Sequence, residues 1–306
     1  MNLLQAAAPL LIPIVVGMIL GRLGWLGDTG VRRLVAFTYW IGFPLMLLHG
    51  LGHSAPPDPS LGMALGAYAV CMCSILGVAI LIARAMGFDA QVRAGMPMAA
   101  SMGNTGFFGV PLAVSLFGEA QRGPATALLT ADFVILLTLA VATLQSARPG
   151  GSIPRLIARV LFNPTVAGGV VGLWLSLGHI ELPRAIDLPL SWIAVGASPV
   201  ALLALGGLMG REPVIPRSGE FAPLALTLAL KLVAAPLLTW TLLGLLGLRP
   251  DLRATATLLA ACPTAVNVFI QTRSLDVFAR GASQAVILGT AASALTLPLI
   301  VWLISF

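Results

Sequence analysis

Between Ala94 and Phe117 the chain is apolar for long enough to cross a bilayer, yet the middle of this run reads Gly103-Asn104-Thr105-Gly106-Phe107-Phe108-Gly109-Val110-Pro111. Three glycines and a proline so close together do not sustain a regular helix. Gly103, Gly106 and Gly109 cost backbone entropy, and Pro111 lacks a donor and clashes with the preceding turn. In lipid such a break strands N–H and C=O groups, each at a cost of several kcal/mol, unless protein or a water-filled cavity satisfies them. The stretch is therefore expected to line a site, with Asn104 and Thr105 as its polar groups. By itself it also fits a kinked helix packed through its glycines on a neighbour.

A second interruption favours the site. Cys262-Pro263-Thr264-Ala265-Val266-Asn267-Val268-Phe269 lies in the middle of another apolar run, Leu252 to Thr272. Two interrupted spans at matching places in two halves of a membrane protein are the best sequence pointer to a transporter binding site. Composition agrees. The 306 residues are 58% apolar and 9% charged, with a mean hydropathy of +0.99. A soluble domain carries about 25% charge and has no use for repeated apolar runs of about 20 residues. The net charge of +6 is spread over short links and is no nucleic-acid footprint. Cys71, Cys73 and Cys262 fall inside apolar segments and read as small apolar residues. Met1 to Leu20 has no basic leading region or cleavage site and reads as a first span rather than a signal peptide.

The apolar pattern predicts an all-α polytopic membrane protein with ten transmembrane helices: roughly 4–22, 33–51, 61–84, 94–117, 124–146, 158–178, 190–209, 221–248, 252–272 and 282–304. The longest link, Gln145 to Ala158, splits them five and five. This gives a first repeat over 1–146 and a second over 158–306. Twelve arginines fall in links after odd-numbered spans: Arg22, Arg32, Arg33, Arg84, Arg93, Arg148, Arg155, Arg159, Arg211, Arg217, Arg273 and Arg280. Four, Arg122, Arg184, Arg249 and Arg253, follow even-numbered spans. The positive-inside rule then makes the odd links cytoplasmic and puts both termini outside the cell membrane. Five spans per half is odd, so any structural repeat is inverted. Internal echoes support one: Gly42-Phe43-Pro44-Leu45-Met46 resembles Ala197-Ser198-Pro199-Val200-Ala201, and spans 5 and 10 start at Gly123 and Gly281.

Two charges sit away from the span ends, Lys231 in span 8 and Asp132 in span 5. A charge at mid-depth costs about 3 kcal/mol or more, so each is expected to face protein. Lys231 reads as a counter-charge for an anion or a titrating group, alone or paired with Asp132. His49 and His53 lie at the outer end of span 2 and read as interfacial. No HExxH, GxSxG or phosphate-binding loop is present, and mid-membrane acids are not paired as an aspartyl protease needs. Neither enzyme activity nor a cofactor or metal is expected, and uphill transport would draw on an ion gradient or the membrane potential.

The runs Asn104-Thr-Gly-Phe-Phe-Gly-Val-Pro-Leu112, Lys231-Leu-Val-Ala-Ala-Pro236 and Pro263-Thr-Ala-Val-Asn-Val-Phe-Ile270 occur in this order. Together they resemble the auxin efflux carrier family, in its bacterial malonate or auxin-efflux-type form, over nearly the whole chain. The resemblance implies two inverted repeats of five helices with spans 4 and 9 unwound where they cross. It also implies scaffold helices 1, 2, 6 and 7 (about 4–51 and 158–209), transport helices 3–5 and 8–10 (about 61–146 and 221–304), an elevator motion, and often a homodimer. Pro111 matches the crossover proline of span 4 and Asn104 the polar residue before it. In span 9 Asn267 stands where plant relatives have a proline, and Pro263 lies four residues earlier. The acidic residue of span 3 in plant relatives has no counterpart in Tyr68 to Ser74.

The expected function is secondary transport of a small organic anion, a mono- or dicarboxylate, through a site made by Asn104, Thr105, Gly106, Gly109, Pro111, Pro263, Thr264 and Asn267. Lys231 and Asp132 would couple charge, with protons as the candidate ion. The rival readings are sodium coupling, a membrane-embedded enzyme, and a sensor using the same crevice.

Overall fold

The computed structural model describes residues 3–53, 59–145, 162, 164–211 and 215–304. The link from Gln145 with Arg148, Arg155 and Arg159, and the expected start of a span at 158, otherwise lie outside the described residues. Among the described residues the chain is helical, with no strand beyond one isolated bridge. The helices are α1 (Leu3–Arg22), α2 (Asp28–Gly52), α3 (Pro59–Ala85), α4 (Ala90–Ser101), α5 (Thr105–Phe117), α6 (122–145), α7 (Pro164–Leu177), α8 (Arg184–Met209), α9 (Phe221–Leu245), α10 (Pro250–Ala260), α11 (Val266–Leu275) and α12 (Ala279–Ile304). Five of them, α2, α3, α8, α9 and α12, are long and apolar enough to cross a membrane. Because α2 begins at Asp28, Arg32 and Arg33 lie on its first turns and not in a link.

Two compact units form. The first takes Met1–Asp58, Gly106–Thr130 and Leu161–Glu212; the second takes Pro59–Thr105, Ala131–Val160 and Pro213–Phe306. In the first unit, two helix pairs approach most closely at glycines. A Cβ on Gly206 or Gly210 of α8 would fall on the Ile14 or Met18 carbonyl of α1, and one on Gly17 would fall on the Leu203 carbonyl. Gly168 and Gly172 of α7 meet the backbone of Pro44 and Leu48 in α2 in the same way. Lipid tails are as apolar as leucine, so association in a bilayer rests on close van der Waals approach, which small residues four apart allow. In the second unit α4 is buried from Ala94 to Ser101 and α10 from Ala254 to Ala260. Arg253 of α10 anchors on α9: its Nε donates to the Trp240 carbonyl at 2.9 Å and its guanidinium lies 3.4 Å over that indole ring.

Three prolines share a second local arrangement, whereas Pro97, Pro189, Pro199 and Pro298 lie within helices that have no π turn. Pro44, Pro111 and Pro236 each stand two residues after a π turn, Thr38–Gly42, Thr105–Gly109 and Leu230–Ala234. A proline cannot donate to the carbonyl four residues back and its ring crowds that carbonyl. The wider π turn moves the carbonyl aside and lets the helix continue. A fourth π turn, Asp132–Leu136, has no such proline.

Gly206→Ala forces a methyl into the α1 backbone and is expected to lower the thermal stability of the detergent-solubilised protein by about 1–3 kcal/mol, the usual cost of overpacking. Gly196→Ala, on the same helix where a Cβ meets nothing within 4 Å, is expected to cause no loss. Equal melting temperatures for the two variants would contradict the glycine-mediated packing.

Candidate functional site

α4 and α10 both end in the interior of the second unit, at Ser101 and Ala260. Beyond each end the chain leaves the helix, directly at Met102 and after a turn at Ala261 and Cys262, and the two pieces pair with one another. Asn104 N–H donates to the Pro263 carbonyl at 2.7 Å, and Ala265 N–H donates to the Met102 carbonyl at 3.0 Å. Between them Gly103 and Thr264 form an antiparallel bridge. The Thr264 hydroxyl donates to the Ala99 carbonyl in α4 at 2.9 Å. The backbone groups freed by each interruption are thus satisfied by the other, which is what a helix break in lipid requires. Gly103 suits the close approach: a Cβ there would stand 3.0 Å from Lys231 Nζ.

Lys231 sits in the π turn of α9, fully buried, and its Nζ donates to the Ala260 carbonyl at 2.7 Å. That carbonyl is the last of α10, where the aligned peptide dipoles leave partial negative charge and the last carbonyls have no helical partner. Lys231 therefore caps an interrupted helix. The sequence marks Lys231 only as a counter-charge or a titrating group; its partner, 29 positions away, is not legible there. Asp132 sits in the π turn of α6 and is 4% exposed. Tyr68 of α3 donates to its Oδ2 at 3.0 Å, and the Thr105 hydroxyl faces the same carboxyl. Tyr68, wholly buried, is a site residue that sequence reasoning missed. The second unit does carry an acid beside α3, but α6 supplies it.

Asn267 is the other notable group. It lies in the first turn of α11, 4% exposed, and neither its amide nitrogen nor its amide oxygen has a hydrogen-bond partner. A buried polar side chain without partners costs about 1–3 kcal/mol and calls for an explanation. Asn104, Thr105 and Thr264 are buried as well.

Not every expected site residue falls in this unit. Gly106, Gly109 and Pro111 belong to the first unit, whose boundary runs between Thr105 and Gly106. There a Cβ on Gly106 would strike the Phe43 ring, Phe43 and Phe107 stack with centroids 4.0 Å apart, and Ser198 donates to the Phe107 carbonyl at 2.6 Å. Asn104, Thr105, Pro263, Thr264, Asn267, Lys231 and Asp132 all belong to the second unit.

A family model described as a membrane transport protein matches residues 146–301, just over half of the chain. The chain belongs to this family, the auxin efflux carriers. A Rhizobium meliloti (strain 1021) protein named "Putative malonate transporter" is 28% identical over 67% of this carrier and 65% of its own length. An "Uncharacterized transporter" of Methanothermobacter thermautotrophicus is 24% identical over 96% of both chains. A rice "Probable auxin efflux carrier component 5b" is 34% identical over 44% of this carrier. The carrier thus spans just under two thirds of the Rhizobium protein and 38% of the rice one. The family is one of membrane transport proteins.

Thr264→Val keeps the shape but loses the bond to Ala99. It is expected to lower the melting temperature of the purified carrier, by about 1 kcal/mol or more of stability. Thr264→Ser keeps the hydroxyl and is expected to lie closer to wild type. A valine variant as stable as wild type would remove that bond from the crossing.

Proposed function

We propose that this carrier moves a small organic anion, a mono- or dicarboxylate such as malonate, across the cell membrane by alternating access. The carrying observation is Asn267: a buried amide with both polar atoms unpartnered, at the start of a half-helix. A helix N-terminus presents free N–H groups and partial positive charge, which suits a carboxylate. A bound carboxylate would accept from the Asn267 amide nitrogen and from these N–H groups. The name of the Rhizobium relative points to the same substrate class. Lys231 caps α10 and holds positive charge close to Gly103, so it stabilises the crossing and biases it towards anions.

The reading extends to the architecture. Ten spans in two inverted five-helix repeats, both termini outside, with the first unit as scaffold and the second as the moving element, fit an elevator mechanism. The chain passes between the units at Thr105–Gly106 and at Thr130–Ala131, each beside a π turn, where a helix bends most cheaply. Protons are the coupling ion this reading favours, since Asp132 is a buried carboxyl that accepts a hydrogen bond from Tyr68. Sodium is the second reading, favoured by the grouping of Asp132 with the Tyr68 and Thr105 hydroxyls. A homodimer completes the expected assembly.

Purified carrier in liposomes, with labelled malonate and related carboxylates, tests the reading. Saturable flux is expected. Asn267→Leu is expected to keep or raise thermal stability, because an unsatisfied polar group is removed, while flux at low substrate falls about ten- to hundredfold through lost hydrogen bonds to a charged ligand. Flux of no carboxylate, or normal flux in this variant, would overturn the anion or the site respectively. Asp132→Asn is expected to abolish the response of net flux to an imposed pH gradient while substrate exchange persists. Flux that follows an imposed sodium gradient and ignores pH would transfer the coupling to sodium.

A further inference from the structure

Away from the crossing, the first unit brings together three side chains that the transport reading leaves unused. His49 and His53 lie one turn apart at the end of α2 and so share a face. Their rings stand 4.3 Å apart, centroid to centroid. Asp187, on the first turn of α8, points its Oδ1 between them, 3.7 Å from His49 Nε2 and 3.3 Å from His53 Nε2. The ligating atoms of all three residues lie within 4.8 Å of one another.

The hydrogen-bond pattern says what is missing. His53 Nδ1 stands 2.8 Å from the His49 carbonyl. A carbonyl only accepts, so Nδ1 carries the hydrogen and the neutral ring keeps its lone pair on Nε2. That lone pair faces Asp187 Oδ1, which is buried and has no hydrogen-bond partner. Two acceptors directed at one another repel unless a proton on Nε2 or a metal ion lies between them. The Nδ1–carbonyl bond is also the outer-shell contact that orients a metal-bound imidazole.

We propose that His49 Nε2, His53 Nε2 and Asp187 Oδ1 bind one divalent transition-metal ion of the zinc class. Zinc holds imidazole and carboxylate ligands at about 2.0–2.1 Å, which places tetrahedral ligand atoms about 3.3–3.4 Å apart. The His53–Asp187 separation already equals this edge, and the His49–Asp187 separation needs to close only slightly. Two imidazoles and one carboxylate suit zinc and its neighbours in the first transition row, whereas calcium and magnesium call for oxygen ligands. His53 and Asp187 also line a cavity of about 520 Å3 with Ser176, His179, Glu181 and Arg184, so water has access to the fourth coordination position. Arg122, the cation whose charge reaches His49, is paired with Glu119 at 2.8 Å. That bond holds the exposed Glu119 carboxyl below its usual range. A bound ion would tie the end of α2 to the start of α8 within this unit.

The test is zinc titration of chelator-treated, purified full-length carrier against a chromophoric competitor, with cobalt as a spectroscopic probe. One zinc per chain is expected in wild type. His53→Ala and Asp187→Asn are each expected to weaken binding by about tenfold or more. Cobalt is expected to give visible bands of tetrahedral nitrogen and oxygen coordination without thiolate charge transfer, and zinc is expected to raise the melting temperature of wild type but not of Asp187→Asn. Substoichiometric zinc in wild type, unchanged affinity in both variants, or a thiolate band placing the metal on Cys71, Cys73 or Cys262 would overturn the proposal. Should a variant fail to fold, the wild-type stoichiometry and cobalt spectrum still decide it.

Discussion

The second unit depends on one exchange of backbone hydrogen bonds, Asn104 N–H to the Pro263 carbonyl and Ala265 N–H to the Met102 carbonyl. A hydrocarbon environment leaves no water to satisfy an interrupted helix. One break alone would therefore be prohibitive, and two breaks that complete each other are not. Two polar features of the site follow from that pairing. It lets α11 begin deep inside the unit with Asn267 in its first turn, and it ends α10 at a carbonyl that Lys231 can cap. Thr264 binds the crossing back to α4 through Ala99, so the arrangement is held by side chain as well as backbone.

The charged groups are placed by a related economy. Lys231 and Asp132 both lie in π turns, where the regular ladder is already relaxed. In α9 the π turn accommodates Pro236, and the same local solution accommodates Pro44 and Pro111 elsewhere. In the first unit glycine takes the corresponding role: Gly17, Gly206 and Gly210 bring α1 and α8 to backbone contact, as Gly168 and Gly172 do for α7 and α2. Transport proteins must pack firmly without a hydrophobic drive between helices, and close backbone approach supplies the attraction.

Much of this was legible residue by residue. The interruptions at Gly103–Pro111 and Cys262–Asn267 stood out because glycine, proline and asparagine are out of place in an apolar run. The helices do stop at Ser101 and Ala260, but they resume at Thr105 and Val266, so Gly106, Gly109, Pro111 and Asn267 lie within helices and not in the breaks. Lys231 and Asp132 stood out because charge in lipid is costly. What could not be read was who meets whom. Tyr68 is one aromatic among apolar neighbours, and nothing in its own segment announces a bond to Asp132 across 64 positions. The i, i+4 spacing of His49 and His53 was visible, but Asp187 lies too far along the chain to be joined to them by pattern. The apolar pattern puts Arg32 and Arg33 at the edge of the span at 33–51, whereas the helix starts at Asp28 and carries both.

Sequence by itself determined that this chain is helical, that it lives in a membrane, and where its helices must break. Those properties follow from local chemistry: apolar run length, backbone donors lost at proline, and the cost of polar groups in hydrocarbon. Tertiary structure decided which carbonyl Lys231 caps, which hydroxyl reaches Asp132, and that the Asn267 amide is buried without a partner. It also decided that the run from Gly103 to Pro111 divides after Thr105, with its first residues in one compact unit and its last in the other. Partnerships of that kind join residues tens to hundreds of positions apart, and only the packed chain chooses among the many pairings that local chemistry allows.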